Sequence, residues 1–130
     1  MLKWHNALQG TTITSLDFSD TLNNIEKNSY TFLDPPYRSA SSEEKTYADY
    51  GTNLEDSFQE TVIDFFMKAK EKGSYTLLSN RDWGDGFFED RSKGNKVEYF
   101  EVTYTVGRKK ENANGDYSAK KAREILMVSE

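Results

Sequence analysis

Cysteine is missing from this chain, which excludes a disulfide framework and a thiolate nucleophile and fits a reducing cytoplasm. There is no apolar run of about 18 residues, the length that would suggest a membrane-spanning helix. The amino end also lacks the basic-then-apolar sequence of a signal peptide. Basic residues are outnumbered, 17 Lys and Arg against 22 Asp and Glu, and the net charge of −5 argues against a surface that binds nucleic acid all over. The deficit is uneven. From Arg91 to Arg123 nine basic residues stand against four acids, a local +5 that could touch phosphates or simply be solvated. The single histidine, His5, has no ligand cluster beside it and reads as a surface or helix-end residue. No zinc, calcium or phosphate-loop motif occurs. The eight glycines are scattered, and the two prolines are adjacent.

Those prolines mark the most informative segment, Thr31-Phe32-Leu33-Asp34-Pro35-Pro36-Tyr37. Tyr30 to Leu33 reads as a buried strand, a short apolar and aromatic run bounded by turn residues. Pro35 and Pro36 end it, because neither has an N–H to continue a ladder. Open α/β sheets place ligands just past the carboxyl ends of their strands, so Asp34 and Tyr37 are expected at a cleft. Taken alone, the tetrapeptide reads more readily as a strand-ending turn.

One hundred and thirty residues suit a single domain spanning 1–130. Hydrophobic content is only 35%, yet eight Tyr, eight Phe and two Trp give the core large side chains. Thr11 to Leu16 reads as a strand, and Asp20 to Ile25 as a short helix with Ser19 as N-cap. Arg38 to Thr52 is a polar loop carrying Tyr47 and Tyr50. Leu54 to Lys72 is helical by the spacing of Leu54, Phe58, Val62, Phe65, Phe66 and Ala69. Asn53 can cap this helix, acids open it, lysines close it, and Gly73 stops it. A strand follows from Tyr75 to Ser79. Strand, helix, strand is a right-handed crossover, so Tyr30–Asp34 and Tyr75–Ser79 are expected to lie parallel. Trp83-Gly84-Asp85-Gly86 reads as a turn and Phe87 to Arg91 as a helical turn. Val97 to Val106 is a strand, Gly107 to Ser118 a polar connection, and Ile125 to Ser129 the antiparallel return.

Asp34-Pro35-Pro36-Tyr37 after an apolar strand resembles the catalytic motif of the Dam-like, D12 class DNA N6-adenine methyltransferases. Leu77-Leu78-Ser79-Asn80-Arg81-Asp82 is similar to the family's strand-end Ser-Asn element. Ile13-Thr14-Ser15-Leu16-Asp17-Phe18 resembles the strand ending in Asp-Phe, and Val102 to Met127 the final hairpin. Dam-like methylases are longer, and the resemblance covers only their carboxyl-terminal part. The Gly-rich loop that lets backbone approach the methionine part of S-adenosylmethionine has no counterpart here, nor does the target-reading segment. The fold the resemblance implies is α/β, a partial Rossmann-like methyltransferase sheet with a C-terminal antiparallel hairpin and without the amino-terminal strands.

In that family the tetrapeptide performs the chemistry, so the resemblance assigns Asp34, Pro35, Pro36 and Tyr37 as catalytic. The exocyclic amine of adenine is a poor nucleophile because its lone pair is delocalised into the ring. Fixed acceptors on its two protons, the Asp34 carboxylate and the Pro35 carbonyl, would free that lone pair for attack on a sulfonium methyl. The base must leave the duplex, and Tyr37 would hold it by stacking. The resemblance puts Asp17 and Phe18 against the adenine of S-adenosylmethionine; the residues alone equally suit a strand end with one core Phe. Ser79 and Asn80 would shape the base pocket or terminate a strand. Tyr47 and Tyr50 would close over base or DNA, or merely anchor a loop.

The implied partners are double-stranded DNA and a complementary amino-terminal methyltransferase chain, and the cofactor binds weakly or not at all to the isolated chain. Competing expectations are a non-catalytic interaction module and a methyltransferase for a non-DNA amine; Asp at position 34 leans towards DNA. A homodimer formed through an exposed strand edge is also expected.

Overall fold

The helix Asp56–Glu71 (α2) organises the domain in a computed structural model that describes residues 2–39, 56–104, 110–111, 117–118 and 120–130. Its apolar stripe, with Val62, Ile63 and Phe66, packs on Leu78, Ile125 and Met127 of the sheet and on Phe87 and Phe88 of a short helix, Phe87–Arg91 (α3). Gly73 ends α2 in a left-handed conformation, φ 86°. Its N–H donates to the Lys70 carbonyl at 2.8 Å and the Ser74 N–H to that of Ala69 at 3.2 Å, the paired bonds of a Schellman stop. Asn53, Leu54 and Glu55 lie outside the described residues, so the start of the helix is described from Asp56.

Before α2 come a helix at Leu2–Ala7 (α1), a 3-10 helix at Phe18–Asn24 and a strand at Tyr30–Leu33 (β1). After it come the strands Tyr75–Asp82 (β2), Lys96–Tyr104 (β3), Lys110–Glu111 (β4), Tyr117–Ser118 (β5) and Lys120–Val128 (β6). The main sheet runs β1-β2-β6-β3, while β4 and β5 pair separately. β1 and β2 are parallel, with Leu33 opposite Leu78, as expected of the crossover. β6 lies antiparallel to both β2 and β3 and is much longer than the return strand expected from Ile125.

Four expectations need correction. Thr11 to Leu16 is not a strand: it is irregular and exposed, with Ile13 82% accessible. Its β-branched residues favour a pleated surface only where neighbours exist to pack against, and among the described residues no strand pairs with it. The helical turn that follows is 3-10 and starts earlier, at Phe18, because Asp17 and not Ser19 caps it. β1 is not buried on both faces. Tyr30 and Phe32 are exposed, while Thr31 and Leu33 are half-buried over α2. Finally β2 does not stop at Ser79 but continues through three buried polar residues, Asn80, Arg81 and Asp82.

Only one face of the sheet is covered by α2. The register puts Tyr30, Phe32, Tyr75, Leu77, Ser79, Arg81, Phe100, Glu124 and Leu126 on the other face, where Tyr30 and Tyr75 stack with ring centroids 5.3 Å apart. Around β1 this face is open, with Tyr30, Phe32 and Tyr75 exposed, whereas at its other end the Trp83 ring lies on Arg81.

Candidate active site

Leu33 is the last residue of β1, and the chain then turns out through Asp34, Pro35, Pro36 and Tyr37. Asp34 is exposed. Its Oδ1 accepts a hydrogen bond of 2.7 Å from the hydroxyl of Ser79, which also reaches the Leu33 carbonyl at 3.3 Å. One carboxylate oxygen is thereby aimed by a side chain of the neighbouring strand. Among the described residues, nothing donates to the Pro35 carbonyl. The Pro36 carbonyl, by contrast, takes a bond of 2.9 Å from the Gln59 amide on α2.

Tyr37 is half-buried. Burial pushes its phenol above the ordinary tyrosine value and, against the Ser79 hydrogen bond, the Glu124 and Asp34 carboxylates push the same way, so the ring carries a neutral hydroxyl at any working pH. Tyr104, bonded to Glu124, is pushed up to about 12, first by burial and then by that carboxylate. Two neutral phenols thus share the surroundings of Glu124.

Arg38 follows immediately and is the most heavily bonded residue of the region. Its N–H donates to Asn80 Oδ1 at 2.9 Å, and its carbonyl accepts from the Trp83 indole at 2.9 Å. The guanidinium donates from Nε and Nη2 to the two carboxylate oxygens of Asp56 at 2.6 and 3.0 Å, and from Nη1 to Asp85 at 2.5 Å. It also lies 4.1 Å from the centroid of the Phe87 ring. The loop is thereby tied to the start of α2 and to the turn after β2. That turn uses Gly84 and Gly86 at φ 74° and 73°, a conformation open to glycine without strain.

Asn80 is fully buried. Its Oδ1 accepts from the N–H of both Arg38 and Arg81, and its Nδ2 donates to Gln59 Oε1 at 2.9 Å. Its side chain therefore braces the loop through these three bonds, whereas Ser79 contacts Asp34 directly. Arg38 and Gln59 were missed by the sequence reading. Gln59 did leave a signal, since it lies three, four and seven residues before Val62, Ile63 and Phe66, at an inward position of the α2 stripe. A polar side chain there announces a buried network.

The Asp17-Phe18 pair is not at a strand end. Asp17 Oδ1 accepts from the Ser19 N–H at 2.9 Å and the Ser19 hydroxyl at 2.5 Å, bonds that hold its carboxyl below the usual carboxylate value. Phe18 packs edge-on against Phe65 and Phe58, at 5.4 and 6.1 Å. Phe18, Phe58 and Phe65 form one wall of an open groove of about 560 Å³, and Leu33, Asp34 and Pro35 form another. The groove brings Phe18 together with Asp34, Pro35 and Pro36, while Asp17 and Tyr37 do not line it. Tyr47 and Tyr50 lie outside the described residues. Among those residues there is no metal-binding cluster, and no helix is long and apolar enough to cross a membrane.

A mixed α/β domain with a four-stranded sheet, a parallel pair joined through a helix and an acid-Pro-Pro-Tyr loop at a strand end is consistent with a methyltransferase fold. The family of D12 class N6 adenine-specific DNA methyltransferases matches residues 1–111, and the chain belongs to it. That family acts on DNA and generally uses S-adenosylmethionine. No curated protein and no solved structure matches the chain.

Proposed function

We propose that this chain is the catalytic-motif segment of a site-specific adenine DNA methyltransferase, acting in the cytoplasm and inactive until further elements complete it. The observation that carries the reading is the tether from Ser79 to Asp34. It holds an exposed carboxylate beside a groove while Gln59, Asn80 and Arg38 hold the peptide groups around Tyr37. Such a carboxylate can accept a proton-bearing N–H of the adenine amine without rearranging, and the Pro35 carbonyl is available for the second. Tyr37, neutral and half-exposed, offers its ring to an extrahelical base.

The groove is apolar along Phe18, Phe58 and Leu33 and acidic at Asp34. That chemistry fits S-adenosylmethionine, with its flat adenine and cationic sulfonium. The cofactor, when bound, supplies an electrophilic methyl group. Phe18 would hold the ring system, and Asp34 would lie at the reacting end. Asp17, engaged in capping, retains one carboxylate oxygen for a ribose or adenine contact. The Rossmann-like sheet is completed, in this reading, by strands beside β1, and the Gly-rich loop and target-recognition segment come from sequence outside these residues or from a complementary chain.

The test is reconstitution. The chain is combined with a segment that carries those elements, and transfer of labelled methyl to adenine in duplex DNA is measured. Transfer that needs both parts and is lost in Asp34→Ala supports the reading; transfer indifferent to Asp34 overturns it. A second reading, a non-catalytic interaction module, draws on the open aromatic face around Tyr30, Phe32 and Tyr75. It predicts partner binding with no methyl transfer under any combination.

A further inference from the structure

Four arginines have described side chains, and three of them are ion-paired: Arg38 with Asp56 and Asp85, Arg91 with Glu60, Arg123 with Asp82. Arg81 is the exception. It is only 9% exposed, it makes no ion pair among the described residues, and its Nε is buried with no hydrogen-bond partner. The two carboxylates nearest in the ladder make their bonds to other residues. Glu124, its cross-strand partner on β6, receives the Tyr104 hydroxyl, and Asp82 binds Arg123. Arg81 rests instead on Trp83, its guanidinium carbon 4.1 Å from the ring centroid. A guanidinium drawn out of water without a direct ion pair is costly, and an anion that reached it would offset that cost.

The position says which anion. Arg81 lies two residues beyond Ser79 on the same face of β2, past the point where β1 has ended at Leu33. It does not line the groove beside Phe18 and Asp34, so a ligand there is not one held in that groove. Trp83, on which it lies, donates its indole N–H to the carbonyl of Arg38, the residue next to Tyr37. Glu124, across the ladder from Arg81, accepts the Tyr104 hydroxyl, which places Arg81 and Tyr104 at one patch. A planar guanidinium fixed by stacking presents its N–H fork to a phosphate in a set direction, whereas a mobile lysine supplies only a point charge.

We propose that Arg81 on its Trp83 shelf binds a backbone phosphate of the DNA strand whose base Tyr37 captures. The proposal rests on the base-capture reading of Tyr37, and the two are separable by experiment. Two labelled single-stranded oligonucleotides serve as probes, one of thymidines only and one with a single central adenine, titrated by anisotropy at several salt concentrations. Arg81→Gln should weaken both probes alike, by three- to tenfold at low salt, and should reduce the slope of log affinity against log salt by about 0.7. Arg81→Lys should recover the slope but not the full affinity. Adenine preference, and its loss in Tyr37→Ala, reports base capture separately. If that preference is absent while the Arg81 effect remains on both probes, base capture fails and the phosphate contact stands.

Equal affinity and slope in native and Arg81→Gln chains would overturn the proposal, as would failure of the native chain to bind either probe. Should Arg81→Gln fold poorly, the native shelf can be read directly. In a Trp4→Phe chain, whose lost indole is a 76% exposed one, Trp83 is the sole tryptophan. Its fluorescence should change saturably with the thymidine probe, and no change up to saturation would overturn the assignment.

Discussion

Gln59 and Asn80 share a buried hydrogen bond of 2.9 Å between helix and sheet, and between them they hold the peptide groups on both sides of Tyr37. The directions of these bonds follow from the donors alone. Two backbone N–H groups converge on one Asn80 atom, which must be its oxygen, so its nitrogen faces Gln59 and the Gln59 nitrogen faces the Pro36 carbonyl. Each amide in the chain sets the orientation of the next. The loop is held by an ordered relay and not by the stiffness of the prolines alone.

Replacing Gln59 by Leu keeps the volume and removes both bonds. Asn80 Nδ2 is then buried without an acceptor and the Pro36 carbonyl loses its donor, a pattern that costs about 1–3 kcal/mol. Urea denaturation should show a lower midpoint with unchanged slope. Hydrogen exchange at the Arg38 amide, bonded to the same Asn80, should accelerate more than at amides within β6. An unchanged midpoint would show that the relay contributes nothing.

The Arg38 bridge predicts an acid dependence of stability. Asp56 is held below the ordinary carboxyl value chiefly by its hydrogen bonds with Arg38. At Asp85 burial pushes upward, but the Arg38 and Phe87 hydrogen bonds and the Arg38 charge outweigh it. Both folded values lie below the unfolded one of about 3.9. The contribution is therefore complete above that value and disappears as pH falls through the depressed folded values. Both carboxylates are about half-exposed, so solvent screening keeps the effect modest. Stability measured from pH 6 to pH 2.5 should decline less steeply in Asp56→Asn than in the native chain; parallel declines would remove the bridge as the cause.

The crossover from β1 through α2 to β2 was legible because its signals are local: helical spacing, charges matched to the helix ends and a glycine stop. Thr11 to Leu16 misled because β-branched residues record a preference that only a neighbouring strand can satisfy. The end of β2 was misplaced for the opposite reason. Asn80, Arg81 and Asp82 look like a polar exit, yet each stays in the sheet on a partner from elsewhere in the chain: Gln59, the Trp83 ring and Arg123. Tertiary partners of that kind leave no periodicity to read. Asp34 and Tyr37 stood out because two prolines isolate them, whereas Arg38, which ties the loop down, looked like the first residue of a polar connection.

In a reconstituted enzyme, Asp34→Ala should lower the transfer rate by at least about a hundredfold, since it removes an acceptor fixed before reaction. Tyr37→Ala should act differently, weakening capture of the base and raising KM for DNA more than it lowers kcat. Single-turnover methylation with excess enzyme separates the two. If Asp34→Ala changed only KM, the carboxylate would be a binding group and not the acceptor.

The isolated chain should bind S-adenosylmethionine weakly, at millimolar concentration or not at all. The groove supplies an aromatic wall and the Asp34 carboxylate, but the methionine end has no glycine-built cradle among these residues. Calorimetry at millimolar cofactor decides the matter, and micromolar binding by the native chain would show that another segment does the work of that loop.

Self-association is the last expectation, and it comes from the edge and face of β1 together. β1 ends the sheet, so the outer row of N–H and C=O groups from Tyr30 to Leu33 meets no strand among the described residues. Its outer face adds Tyr30 at 83% and Phe32 at 61% exposure, beside Tyr75. A short edge carrying large apolar groups and no lysine is poorly protected against pairing with another chain. Thr11 to Leu16, expected as a strand, stays irregular and pairs with no strand among the described residues. Two copies related by a twofold axis could pair β1 with β1 and cover both edges at once. Light scattering over a concentration series should show mass rising towards a dimer, with Tyr30–Leu33 amides gaining protection in step. Phe32→Lys should shift the equilibrium back to monomer, because it puts a charge where the copies would meet. A monomer at high concentration with those amides exchanging freely would sink this expectation.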